Sequence, residues 1–524
     1  MPILIRTRSV RTTMGDQSVR GSIMDTSDQL LLANTRRHFF RDCGVGLGAI
    51  ALSKLLAGER VRGDEPKNLL APKKPHHAAK AKSVIYLHMA GSPSQLDLFD
   101  YKPELIEFNG KPCPKEYLEG KRFAFIRGVP NMLGTPFKFA KQGKSGAEIS
   151  ELWKHLPEVV DDIAIVKSCV TDQFNHAPAQ LYLQTGTNLL GGASMGSWAT
   201  YGLGSENQNL PGFVVLTSGG KSPDAGKSVW GSGYLPSVYQ GVQCRSPGEP
   251  VLFLSNPPGL DREGRRATLD ALAKLNEMHA KALGDPETVT RIAQYELAYR
   301  MQTEAPKVMD ISKEPKVILE MYGAVPGYVS PAETAADPRT LYKGTDPTLA
   351  NNCLLARRLV EAGVRFVQIY DWGWDHHGIS PGEDIPHTLP IKTQQVDRAL
   401  TGLIKDLKQK GLLDSTLVIW GGEFGRTPMQ QNSPGQPFIG RDHHPHAFTT
   451  LLAGGGIKGG QTYGKTDDIG YYVGEDEFNV RDLQATILHL LGLDPFKLTF
   501  ENQGLAQRLI GVEGKAKLHK RLLA

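Results

Sequence analysis

The feature that most constrains this chain is a recurring pattern. A short, almost wholly apolar run stops abruptly in a loop rich in Gly, Asp and His. The runs are Ser83–Met89, Ile163–Ser168, Gly212–Leu216, Arg365–Tyr370, Ser415–Trp420 and Thr449–Ala453. They are too short for most helices and lack the alternation of a half-exposed strand, so they read as strands buried on both faces. Helical patterns lie between several of them. Ile391 to Lys410 carries Val396, Leu400, Leu403, Ile404 and Leu407 on one face, and Gly411 ends it. Strand–helix alternation predicts an α/β domain whose parallel or mixed sheet is covered on both sides. Leu260–Leu283 and Pro286–Ala305 read instead as charged, Ala-rich helices, a helical insertion over about residues 260–320 packed on the sheet domain.

Charge separates the first 60 residues from the rest. Of 60 Lys+Arg and 55 Asp+Glu, nine basic and five acidic side chains fall in residues 1–60, leaving 51 and 50 for the remainder. A body this close to neutral has no global field to recruit nucleic acid. No run of 18 apolar residues occurs, so no stable membrane span is expected. The basic leader contains Thr35-Arg36-Arg37-His38-Phe39-Phe40 followed by the Gly-rich apolar run from Cys43 to Leu52. That is the pattern of a twin-arginine export signal, read here as residues 1–57. Residues 58–82 read as a linker, with Pro66, Pro72 and Pro75. The main domain is expected over 83–505 and a C-terminal tail over 506–524. Export predicts a periplasmic or extracellular location. The remaining Cys show no C-x-x-C spacing, so neither a Cys-rich zinc site nor a c-type haem is expected.

In open α/β sheets ligands bind beyond the carboxyl ends of the strands, so the loops following the runs are the ones to read for chemistry. They contain Asp97 and Asp100; His176; Asp371, Asp375, His376 and His377; and Glu423 and Arg426. Arg441-Asp442-His443-His444-Pro445-His446 precedes the last run. Six of the 15 His lie in these loops. Carboxylate and imidazole together are the ligand set of a hydrolytic divalent ion. For any single residue a turn hydrogen bond or a helix cap explains it as well. Clustering at several strand ends favours a polar site built from Asp375, His377, Glu423 and His443-His444.

Several strings resemble an exported family of unknown function that is often labelled sulfatase-like. They are Gly91-Ser-Pro-Ser-Gln-Leu-Asp-Leu-Phe-Asp100, Met195-Gly-Ser-Trp198, Trp374-Asp-His-His-Gly378, Gly422-Glu-Phe-Gly-Arg-Thr-Pro428 and Arg441-Asp-His-His-Pro445. The resemblance runs over roughly residues 81–505 and extends to the alkaline phosphatase superfamily. It implies an alkaline-phosphatase-like three-layer α/β/α sandwich with a metal site at the strand ends. It further implies a metal-dependent hydrolase of small-molecule or carbohydrate-linked sulfate or phosphate esters, and an exported protein partner. The expected metal ligands are His377, Glu423, His443, His444 and Asp97, with His446 an alternative to the paired His; Zn, Mn or Ca is the expected ion. The expected catalytic residues are His176, Asp375 and Arg426, with Arg426 holding an ester oxygen. One departure is decisive: where sulfatases carry Cys/Ser-x-Pro-x-Arg, this chain reads His176-Ala-Pro178-Ala-Gln180. A formylglycine cannot form from His, so two chemistries remain: direct attack by His176, or the favoured attack by a metal-bound water with His176 or Asp375 moving protons. A non-catalytic binding or scaffold protein on the same fold is the competing expectation.

Overall fold

A computed structural model describes residues 68–246, 248–252, 254–283, 286–331, 343–431 and 436–524. The expected export signal lies outside them. The account below concerns the compact unit of residues 65–277 and 285–524. Of a second unit, residues 1–64 and 278–284, only the end of one helix is described.

Each of the six apolar runs forms a strand of one nine-stranded sheet. The strands are β1 (Ser83–Ala90), β2 (Ile163–Val170), β3 (Phe213–Ser218), β4 (Val242–Gln243), β5 (Phe366–Trp372) and β6 (Thr416–Gly421). After a separate hairpin, β7 (Gly425–Gln430) and β8 (Arg441–His444), the sheet continues with β9 (Phe448–Ala453), β10 (Gln461–Tyr463) and β11 (Phe478–Asn479). The order is β10-β2-β9-β6-β1-β5-β3-β4, with β11 also on β2. β1, β3, β4, β5 and β6 pair in parallel, β10 and β11 run parallel to β2, and β9 is antiparallel to both its neighbours. Only β9 is therefore reversed, and its beginning lies on the edge where the other strands end. This one topological fact brings the polar loops together.

The sheet is covered on both faces. All eight residues of β1 are buried. On β5 two consecutive side chains reach opposite layers. Tyr370 donates its hydroxyl to the Val229 carbonyl (3.2 Å), whereas Asp371 pairs with buried Lys392 (2.8 Å). Lys392 belongs to α6 (Ile385–Gln409), which packs with α5 (Thr348–Glu361). The other layer holds α1 (His176–Thr185), α2 (Met195–Leu203) and α7 (Val480–Leu490). Buried Gln184 of α1 meets His88 of β1 at 3.3 Å there. The arrangement is a three-layer α/β/α sandwich with a mixed sheet.

The insertion is helical as expected: α3 (Arg262–Leu283) and α4 (Pro286–Met309). They are joined by the Arg266–Glu296 pair (2.5 Å), and α4 is anchored to the body by Arg300 donating to the Gln208 carbonyl (2.7 Å). Residues 506–524, read as a tail, also pack: Ile510 and Leu522 are fully buried, and Lys458 N–H donates to the Leu522 carbonyl (2.8 Å).

A buried carboxylate ties the layers locally. Asp397 of α6 accepts the N–H groups of Lys154 (2.6 Å), His155 (2.8 Å) and Leu156 (2.8 Å). Asp397→Ala leaves three donors without that acceptor, and urea unfolding is expected to show a loss of about 1–3 kcal/mol. An unchanged midpoint would mean that water replaces the carboxylate without cost.

Candidate metal centre

Four side chains converge at the carboxyl edge of the sheet. His176 opens α1, Asp375 and His377 lie in the loop after β5, and His443 lies on β8. One donor atom from each falls within 4.8 Å of the others. Asp375 Oδ1 is 2.7 Å from His377 Nε2, 3.3 Å from His176 Nε2 and 3.4 Å from His443 Nε2. The Nε2 atoms of His377 and His443 are 3.1 Å apart. A tetrahedral ion with bonds of about 2.0–2.1 Å has ligand–ligand edges of roughly 3.3–3.4 Å, close to most of these separations.

The outer nitrogen of each imidazole is committed elsewhere. His176 Nδ1 donates to Glu423 Oε1 (2.7 Å), and His443 Nδ1 to the Phe174 carbonyl (2.7 Å). His377 Nδ1 donates to Gln431 Oε1. An imidazole that donates through Nδ1 ligates through Nε2, so three Nε2 atoms and a carboxylate oxygen face one point. His176 Nε2 is buried without a hydrogen-bond partner among the described residues. These observations fit a divalent ion held by three His and one Asp.

The electrostatics agree. Burial opposes ionisation of Asp375, but Arg426 and His176 hold its pKa well below the usual carboxylate range. Burial also opposes the charged form of His176, yet Asp375 and Glu423 prevail and push it up to about 10. His443 is pushed down to about 3, chiefly by burial, and is neutral at pH 7. The ion-free cluster thus holds a proton on His176, which a divalent cation bound at the same point would displace, while His443 is already neutral and ready to ligate.

Close backbone approach shapes the site. Gly91 has φ +105°, and a Cβ there would sit 2.7 Å from the Asp375 nitrogen, so only Gly allows β1 and the Asp375 loop to meet. A Cβ on Gly440 would lie 2.0 Å from the His377 carbonyl carbon. Above the cluster, Asp442 accepts the N–H groups of Phe125 (2.7 Å) and Ile126 (2.8 Å). That hold places the half-exposed Phe125 ring edge-on to His377 and His443, with centroids at 5.0 and 5.4 Å.

Several expected roles change. Glu423 is not among the four converging ligands. It sits behind His176, fully buried, and also accepts from Gly91 N–H (3.1 Å) and Gln180 (3.0 Å), with His88 Nε2 3.2 Å away. Burial opposes its ionisation, yet His176 and His88 hold its pKa well below normal. His444 points away from the cluster, because its Nε2 meets the Tyr471 carbonyl (2.5 Å) among aromatic rings. His446 packs with Tyr471 and Tyr472 on that same side. Strand alternation is the reason: on β8 neighbouring side chains face opposite ways, so only one of His443 and His444 can reach the site. Asp97 is buried against Arg441 (2.8 Å) and Ser94 (2.5 Å), distant in role from any ligand set. Arg426 is not free to hold an ester oxygen. Its guanidinium donates to the carbonyls of Ser92, Arg441 and Gly91 and to Asp375 (2.5 Å). His176 and Asp375, expected as proton carriers, both stand within the ligand cluster.

Sequence reading missed His88, Gln180 and Gln431, which orient or neutralise the cluster. Gln180 alone had a signal, as the residue at the arginine position of the sulfatase pattern.

The Asp97–Arg441 pair separates structure from ligation. Asp97→Ala strands a buried guanidinium and is expected to cost about 3–5 kcal/mol in chemical unfolding. The folded variant should keep whatever divalent-ion affinity the parent shows, and a loss of that affinity in folded Asp97→Ala would return Asp97 to the ligand set.

No curated protein matches the chain. Among solved structures it is similar to the PsFucS1 sulfatase from Pseudoalteromonas sp., at 13% identity over 86% of this chain and 75% of that one, with a TM-score of 0.36. It is similar to alkaline phosphatase from the Antarctic bacterium TAB5, at 13% identity over 73% and 93%, with a TM-score of 0.28. A protein in the alkaline phosphatase superfamily from Vibrio parahaemolyticus matches at 10% identity over 91% and 79%, with a TM-score of 0.31. Residues 81–521 match the family described as protein of unknown function DUF1501, and because that match spans most of the chain, the protein belongs to this family.

Proposed function

We propose that the protein is an exported, metal-dependent hydrolase of sulfate or phosphate esters. The observation that carries this reading is the convergence of three imidazole Nε2 atoms and one carboxylate oxygen, each imidazole locked by an acceptor on its far side. Three nitrogens and one oxygen suit Zn²⁺ or Mn²⁺; Ca²⁺ calls for about six to eight oxygens, which this set does not supply. A divalent ion there supplies Lewis-acid chemistry and lowers the pKa of a coordinated water.

The chain's own residues do the rest. Glu423 keeps His176 in the tautomer that ligates, and Arg426 orients Asp375. His176 stands where sulfatases carry their nucleophile, but both its nitrogens are engaged by the site, which argues for attack by water over a covalent histidine intermediate. Asp375 is partly exposed, but Arg426 and His176 hold its carboxylate well below the usual range, so it serves as a ligand and not as the base. Phe125 shields two ligands from bulk solvent. The twin-arginine pattern at Arg36-Arg37 supports export to the periplasm or beyond, and among the described residues no helix is long and apolar enough to cross a membrane. Small-molecule or carbohydrate-linked esters are the proposed substrates, and an exported protein is a further proposed partner.

A binding or scaffold role is the second reading. It is favoured by the commitment of every Arg426 donor group inside the protein, which leaves the cluster without that cation for an ester oxygen.

Elemental analysis of protein purified without added metal is expected to find about one Zn or Mn per chain. The double variant His377→Ala/His443→Ala should lose it, and with it hydrolysis of p-nitrophenyl sulfate or phosphate. Metal bound without turnover of any ester would favour the scaffold reading, and an ion-free parent would end the metal proposal. Glu423→Gln should remain folded but bind metal about 10–100-fold more weakly, since it removes the charged partner of a ligating His. Metal titration followed by calorimetry measures this, and equal affinity would sink the orienting role of Glu423.

A further inference from the structure

A second cavity opens at the same edge of the sheet, beyond the carboxyl ends of β3 and β4. Its volume is about 510 Å³, and its walls include Thr217, Ser218, Lys221, Gln243, Arg245 and Ser246. Arg245 and Ser246 also line an adjoining cavity of about 440 Å³. The two form a groove with space far beyond what a single inorganic anion fills. Among the described residues no carboxylate lines the first cavity, and neither Lys221 nor Arg245 is ion-paired. The nearest buried acid, Asp371, accepts from Ser218 Oγ on the cavity wall (2.7 Å) but is neutralised by Lys392 (2.8 Å). Asp310 lines the adjoining cavity, but it accepts from Ser312 Oγ (2.5 Å) and pairs with Lys313 (3.4 Å). The first cavity therefore presents two cations without an acidic partner among the described residues, beside hydroxyl and amide groups.

The groove is also connected to the metal centre. Lys221 lies over the Trp372 ring (4.8 Å), and Trp372 ends the strand that leads into Asp375. Three residues beyond Lys221, Asp224 accepts from Gln180 (3.3 Å), which donates in turn to Glu423 behind His176. One short loop, residues 219–225, thus runs from the cationic cavity to the support of the ligand cluster.

We infer that this groove is a substrate subsite for an oligosaccharide bearing a second sulfate or phosphate group, with Lys221 and Arg245 as its anion-binding residues. The inference rests on the hydrolase reading for the word substrate, and on the groove alone for the binding. Hydroxyl and amide groups suit sugar hydroxyls, cations suit oxyanions, and adjoining volumes of about 510 and 440 Å³ suit more than one sugar.

Calorimetry at fixed ionic strength tests it with three probes: a heparin-derived tetrasaccharide, its desulfated counterpart, and a phosphorylated mannotetraose. Full-length protein should bind one anionic probe at least about tenfold more tightly than the desulfated sugar. Lys221→Ala/Arg245→Ala should lose about tenfold or more, and Lys221→Arg should retain binding. Whichever of the sulfated and phosphorylated probes binds more tightly names the anion. The metal-site variant His377→Ala/His443→Ala should keep the affinity. Equal affinity of the Lys221→Ala/Arg245→Ala protein, or no binding of either anionic probe, overturns the subsite. Persistent, Lys221- and Arg245-dependent binding by a protein that hydrolyses no ester would instead overturn the hydrolase reading and leave the groove as a glycan-binding site.

Discussion

A carboxylate buried without any exposure has to be matched by donors, and Glu423 is where this fold meets that demand. Removing an ion from water costs several kcal/mol even after the protein relaxes. Here the cost is offset by Gly91 N–H from the end of β1, by His176 and Gln180 from α1, and by His88 from within β1. The residue itself follows β6. Three elements far apart in sequence are therefore bound to one charge. The same contact sets the tautomer of His176 and aims its free nitrogen at Asp375. Arg426 does the equivalent work for Asp375 from the other side. The centre is thus a chain of alternating charges, Glu423, His176, Asp375 and Arg426, with the two remaining imidazoles held by neutral oxygens.

Under the proposed function, a ligand stands at the position where the sulfatase pattern has its nucleophile. The first turn of α1 presents residue 176 toward the strand ends. A Ser or Cys there would be short enough to attack a substrate. Histidine is longer, and Glu423 pulls its near nitrogen inward, so its far nitrogen reaches the cluster. Gln180, one turn along the helix, bridges Glu423 and Asp224 and takes the place of a charged group facing substrate. If the proposed substrate is anionic, positive charge has to come from elsewhere, and among the described residues Lys221 and Arg245 are cations at that edge without an acidic partner.

Legibility in the sequence differed from element to element for physical reasons. Strands buried on both faces leave continuous apolar runs, so all six were visible, and the amphipathic α6 and the charged α3–α4 pair were visible by period. The hairpin β7–β8 was not, because Arg426, Arg441 and Asp442 lie buried within it and give it the look of a polar loop. His443 and His444 were indistinguishable as letters; the pleat of β8 sends one to the cluster and the other to Tyr471. Glu423 and Asp97 read as metal ligands in the sequence because the partners that define their work, His176 and Arg441, are hundreds of residues away.

By itself the sequence determined the layered α/β class, the helical insertion and the set of loops in which the chemistry would be found, because these follow from local periodicity and from the rule that ligands gather at strand ends. Only the tertiary structure decided which imidazoles share a centre, which carboxylate ligates and which supports, and that Arg426 faces inward. Those choices depend on strand order and on the single reversed strand β9, which set distances between side chains remote in sequence, and no local pattern encodes them.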